Sequence, residues 1–234
     1  MIVLTNIMKN NFALVRQYIN TAMPTLFAVR QQYFLLKKNL FPLAGFLLMC
    51  NFTLAQKTEI LFNIMLKDKK IGVLHAQEIK TESKSFKVLT VETKTTFLFI
   101  PIHMESEVST TQKNGVLIEG TAYRDASRKS KDVVAAVTKI GPRLYQRERN
   151  GMKDKIRNQR ITFCVVDLYF KEPVAITQVF SNMYAETLPL KWMGNGIYQL
   201  ITPDNNNTIY TYQNGELISI EVDTPVGKVI SKRI

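Results

Sequence analysis

Asn207-Thr208-Ile209-Tyr210-Thr211-Tyr212-Gln213-Asn214-Gly215-Glu216-Leu217-Ile218-Ser219-Ile220-Glu221-Val222-Asp223 decides the fold class. Two runs rich in β-branched and aromatic residues flank an Asn-Gly pair. Asn and Gly tolerate the positive φ values of a two-residue hairpin turn, so the stretch predicts antiparallel strands over 207–213 and 216–223. Alternation in the second run sets Ile218, Ile220 and Val222 on an apolar face against Leu217, Ser219 and Glu221. That is the pattern of a sheet with one buried side.

The same signal recurs at Asn114-Gly115, Asn150-Gly151 and Gly194-Asn195-Gly196. Further strands are expected over 59–66, 71–80, 85–94, 96–111, 116–124, 131–140, 143–149, 153–160, 174–181, 186–192, 197–202 and 226–232. Charged turn residues separate the first two at 67–70, and Gly141-Pro142 breaks another pair. One stretch reads as helical, with Thr162 capping Phe163-Cys164-Val165-Val166-Asp167-Leu168-Tyr169-Phe170 before the stop at Pro173. The expectation is an all-β protein, a curved antiparallel sheet or open half-barrel, with one short helix near residues 162–170.

The N-terminal part follows another logic. Lys37-Lys38 precedes the uncharged apolar run Leu40–Met49, and Thr53-Leu54-Ala55 places a small residue before polar Gln56-Lys57. This is the three-part pattern of an export signal over residues 37–55. Residues 1–36 then read as an upstream extension from a misassigned start, with Leu35 or Leu36 as the initiating codon. An authentic amphipathic extension is the alternative. Retention of residues 39–55 as a membrane anchor is a second alternative, although the run is short for a span. Acylation of Cys50 is disfavoured by the bulky Met49 before it. The expected location is the periplasm or outer envelope of a bacterium, and residues 56–234 form a single exported β domain.

Cleavage after Ala55 leaves 26 basic and 19 acidic residues, a net charge of +7. The excess is concentrated in 124–160, where 12 basic residues face four acidic ones. An anionic envelope component is the expected partner of such a segment, with Arg143, Arg147, Arg149, Lys153, Lys155 and Arg157 as candidate contacts. The competing reading is that these charges decorate the outward face of two hairpins. Export argues against nucleic acid. Cys164 is the one cysteine after residue 55, which excludes an intrachain disulfide in that part.

Motifs for catalysis are missing: no G-x-S-x-G elbow, no H-E-x-x-H and no glycine-rich phosphate loop occurs. The expectation is a non-enzymatic protein without cofactor or metal. His103, Glu105 and Glu107 share a strand face and could ligand a metal, but a solvated strand face is the preferred reading. His75 is isolated.

Leu168-Tyr169-Phe170-Lys171-Glu172-Pro173, Gln178-Val179-Phe180-Ser181, Leu188-Pro189-Leu190 and Tyr210-Thr211-Tyr212-Gln213-Asn214-Gly215 resemble an uncharacterised domain-of-unknown-function family of exported bacterial β-proteins. The resemblance extends over about residues 58–233, with specific motifs only after Leu168. It implies a shape similar to the curved sheets of periplasmic lipoprotein-carrier proteins, and through that shape a lipid or other amphipathic ligand on the concave face. Phe97, Phe99, Tyr169, Phe170, Tyr198, Tyr210 and Tyr212 are the candidate ligand contacts. Core packing is the competing role for these aromatics.

Overall fold

A computed structural model describes residues 55–97, 100–126, 132–204, 206–224 and 227–234. The expected export signal and upstream extension lie outside these residues. Strands β1 (Gln56–Leu66), β2 (Lys69–Lys80), β3 (Lys84–Phe97), β4 (Ile100–Lys113), β5 (Val116–Ala126), β6 (Val133–Gly141), β7 (Leu144–Arg149) and β8 (Met152–Arg157) form one antiparallel meander. A long connection then leads to β9 (Gln178–Ser181), β10 (Glu186–Gly194), β11 (Ile197–Ile201), β12 (Asn207–Gln213), β13 (Glu216–Thr224) and β14 (Gly227–Arg233), a second meander. β14 pairs with β1, so the two merge into one 14-stranded sheet with β8 and β9 at its ends.

All four Asn-Gly turns form as the local chemistry dictates. The asparagines lie at φ 49–53° and the following glycines at φ 69–85°, the paired positive values that match the right-handed twist of the flanking strands. Lys67 and Asp68 make the same kind of turn without glycine, at φ 47° and 63°.

Pleating directs every second side chain inward. Ile60, Ala76, Leu89, Val108, Ala122 and Ala135 are successive cross-strand partners from β1 to β6 and form one inner row. On the other side of β1, Ile64, Ser231, Ile220, Tyr210 and Tyr198 continue the inner face to β11. The two arms of the sheet curl toward each other. Asn182, in the β9–β10 turn, donates its side-chain amide to Ser109 O at 2.8 Å on β4, and Arg147 of β7 reaches Ala185 O in the same turn. Gly120 makes this approach feasible, since a Cβ there would stand 2.3 Å from the Asn182 amide nitrogen.

The concave interior is filled from within. After β8 the chain turns inward, and Val165–Tyr169 forms a single 3₁₀ turn with Val166, Asp167, Leu168 and Tyr169 buried. A short helix was expected here, but its start differs. Thr162 is exposed, and Cys164 is the N-cap residue, its N–H donating to the Asp167 carboxylate at 2.6 Å. Asp167, at the third position of the turn, thereby satisfies the backbone donor of the residue that starts it.

The alternation read over 217–222 is broken. A bulge between Thr211 and Tyr212 pairs Tyr212 with Leu217 and Thr211 with Ser219, leaving Ile218 between them. Leu217 therefore turns inward and is fully buried, with Ile220, while Ile218 is half-buried. One extra residue reverses the faces on one side of it. The strand expected over 174–181 begins only at Gln178, because Pro173 and a positive φ at Ala175 shape a loop before it.

Candidate functional site

The aromatic residues proposed as ligand contacts divide among three places. Tyr210 and Tyr212 lie in the core with Phe62, Leu168, Leu190 and Leu200. Rings there meet edge to face: Phe62 with Tyr169 at 6.0 Å, Tyr169 with Tyr210 at 6.3 Å, and Tyr198 with Tyr212 at 5.5 Å. Each such pair stabilises by about 0.5–1.5 kcal/mol beyond the area it buries. The Tyr212 hydroxyl donates to Leu168 O at 2.5 Å and fastens the 3₁₀ turn to β12. Burial pushes the Tyr169, Tyr210 and Tyr212 phenols far above the ordinary tyrosine range, so they stay neutral.

Tyr169 and Phe170 also border a recess of about 170 Å³ with Thr58, Glu216 and Arg233. Tyr198 belongs to a different and larger opening. Phe97 ends β3, and Phe99 lies outside the described residues.

That larger opening is a groove of about 560 Å³ between the loop after the 3₁₀ turn and the β10–β11 hairpin. Val174, Ala175 and Ile176 form one wall, and Trp192, Gly196 and Tyr198 the other. Trp192 is 66% exposed and Val174 69%, with Met193 next to the tryptophan also exposed. Water-facing apolar side chains gathered on one groove mark an interaction surface. Tyr198 donates its hydroxyl to Glu172 at 3.0 Å at the groove's inner end, and its pKa is pushed up to about 12 by burial and by that carboxylate. The sequence signal that could have pointed here was Trp192-Met193 immediately before a hairpin turn, two large apolar residues where polar ones are usual.

A second constellation lies on the inner face of β3. Lys87 Nζ is 3.0 Å from Asp167 Oδ1 and 3.0 Å from Glu78 Oε1, and it donates to Ser85 Oγ at 2.7 Å and Gln112 Oε1 at 3.3 Å. Gln112 and the Cys164 N–H both donate to Asp167 Oδ2. Burial draws the Lys87 ammonium toward neutrality, but the Asp167 and Glu78 carboxylates outweigh it and hold its pKa above the ordinary lysine value. Burial, and then Asp167, raises the Cys164 thiol well above the usual range, so this cysteine is not a reactive thiolate. Nothing in the sequence pattern joins residues 78, 87, 112 and 167, because only the fold brings them together.

The basic segment separates into two kinds of residue. Arg147 and Arg149 share the inward side of β7 with the fully buried Tyr145, and so do not decorate the outward face of the hairpins. Arg147 donates to Ala185 O at 2.8 Å and pairs with Asp154. Arg149 donates to Met183 O at 2.9 Å, and its guanidinium lies 5.6 Å from the centre of the Tyr184 ring. Both latch the β9–β10 turn. Arg143 donates to Asn158 O and Lys153 pairs with Glu148, while Lys155 and Arg157 are exposed on β8, the end strand of the sheet.

His103 Nε2 lies 2.8 Å from Glu105, and Nδ1 lies 3.2 Å from Thr93 O. Glu107 sits in a neighbouring row between Thr90 and Tyr123. Among the described residues no group of three or more His, Cys, Asp or Glu is placed to hold a metal ion. No described helix is long and apolar enough to cross a membrane.

No curated protein and no solved structure matches the chain. Residues 62–234, from the fully buried Phe62 of β1 onward, match a family model over most of the chain, so the chain belongs to the family described as Domain of unknown function (DUF6134).

Proposed function

We propose that this is an exported, non-enzymatic β-protein of the bacterial envelope that holds an apolar or amphipathic molecule such as a lipid. The ligand lies in the groove between Val174–Thr177 and the β10–β11 hairpin. The observation that carries this reading is the exposed Trp192 on the groove wall, opposite Val174 and Ile176. Trp192 and Val174 are each exposed to about two thirds, and covering them gains up to roughly 1.5–3 kcal/mol per side chain. The buried tyrosines of the interior favour a ligand on the groove over one in the concave face, because the 3₁₀ turn and its rings already occupy that face. Export is supported by the pattern over residues 37–55.

Trp192 is the sole tryptophan of the chain and reports on the groove directly. Titration with a single-chain phospholipid is expected to shift its emission to the blue and saturate. Val174→Asp keeps the reporter, puts a charge on the opposite wall, and is expected to weaken binding by about tenfold, or about 1.4 kcal/mol. An emission spectrum unchanged up to micelle-forming concentrations contradicts the reading.

A second reading rests on Lys155 and Arg157, exposed on the end strand β8. These, with Lys153 and Arg143, form a docking face for an anionic envelope component. Binding to anionic vesicles is then expected to fall steeply with salt and with Lys155→Glu/Arg157→Glu. Binding that ignores both changes removes it.

A further inference from the structure

Lys87, Asp167 and Glu78 are arranged in a way that an ion pair alone does not require. Lys87 and Asp167 are each only 6% exposed. The amine nitrogen faces one carboxylate oxygen of Asp167 at 3.0 Å. Two donors converge on the other oxygen: the Cys164 backbone N–H at 2.6 Å and the Gln112 amide at 2.9 Å. A second carboxylate, Glu78, stands 3.0 Å from the same amine. These are the parts of an acyl transfer. There is a nucleophile 3.0 Å from the carboxylate oxygen that would leave, a carboxyl group polarised by donors on the oxygen that would carry negative charge, and a base within reach of the proton to be moved.

We propose that Lys87 and Asp167 condense into an amide bond within the folded chain, with Glu78 carrying the proton. The steps balance without any other reactant. Glu78 takes one proton from the Lys87 ammonium and passes it to Oδ1 of Asp167. The neutral amine attacks Cγ of the resulting carboxylic acid, and the Cys164 N–H and Gln112 amide hold the negative charge that develops on Oδ2. Glu78 takes a second proton from the nitrogen and delivers it to Oδ1, which departs as water. One ammonium and one carboxylate become one amide and one water, and Glu78 ends as it began.

The dry site supplies the driving force. In water, amine and carboxylic acid stay apart because both ions are well hydrated. Here the hydration is already lost on folding, so exchanging two desolvated charges for a neutral amide removes a penalty rather than creating one. The bond would tie the 3₁₀ turn to β3, closing a long loop of the chain. Cys164 is the one cysteine among the described residues, so no disulfide there does that work.

The test is the intact mass of the purified protein, denatured and compared with its sequence, followed by proteolytic mapping. The expected result is a deficit of one water and a branched fragment joining the peptides that contain Lys87 and Asp167. Asp167→Asn keeps the acyl carbon but changes the leaving group, so its deficit is expected to be one ammonia. Glu78→Gln removes the proton carrier and is expected to restore the full mass while strand content is retained. A folded wild-type protein with the full mass of its sequence overturns the proposal, as does a water deficit mapped to other residues. The wild-type mass decides even where a variant does not fold.

Discussion

Tyr212 shows how much one hydroxyl can hold. It donates to Leu168 O inside the core, and removing it leaves that carbonyl buried without its partner. Tyr212→Phe is expected to cost about 1–3 kcal/mol, read as a lower denaturation midpoint with an unchanged slope. Asp204 provides the pH dependence. Burial raises its pKa, but hydrogen bonds from Thr202, Tyr184 and Asn206 outweigh burial and bring it below the ordinary 3.8. A carboxylate lowered on folding contributes stability that is complete above its unfolded value and is lost as pH falls through the folded one. Asp204→Asn is therefore expected to melt lower than wild type at neutral pH, with the gap closing as pH drops below that range. The shared strand face of Tyr210 and Tyr212 was legible in the sequence. That both of them and Tyr198 are buried was not, because a plug arriving from residues 161–177 decides it.

The arginines of β7 act at the level of elements. Arg147 and Arg149 each give a hydrogen bond to a backbone carbonyl of the β9–β10 turn, 38 and 34 residues away. Replacing both with alanine is expected to release that turn. Amide hydrogen exchange over 182–185 should quicken by roughly tenfold or more, with β1–β3 unaffected, as befits local rather than global opening. Uniform slowing or quickening across the sheet contradicts the latch. The hairpins were readable because each depends on a few adjacent residues, Asn-Gly above all. The latch and the bulge at Ile218 were not. A latch joins distant carbonyls that carry no side-chain signature, and a bulge leaves the alternation of hydrophobic residues looking continuous while reversing its faces.

At the scale of the molecule, β1 and β14 form the seam between two meanders, and one core runs across it. Val108 packs against both the large cluster around Phe62 and the smaller one of Ala122, Val133 and Ala135. Such sharing predicts a single cooperative transition, with backbone and aromatic circular dichroism melting together. Two separated transitions would show that the arms fold independently. The class of fold was legible from turn spacing alone. The inward path of the β8–β9 connection was not, and that path fills the interior and shapes one wall of the Trp192 groove.

The central claim is that an exported domain carries an amphipathic molecule. The most direct test is the mass of the protein taken from the envelope of its own host, recorded first under native and then under denaturing conditions. The account predicts a denatured chain beginning near Gln56, and extra native mass that leaves on denaturation. A chain that retains residues 1–55, or a processed chain whose native mass carries nothing extra, contradicts it.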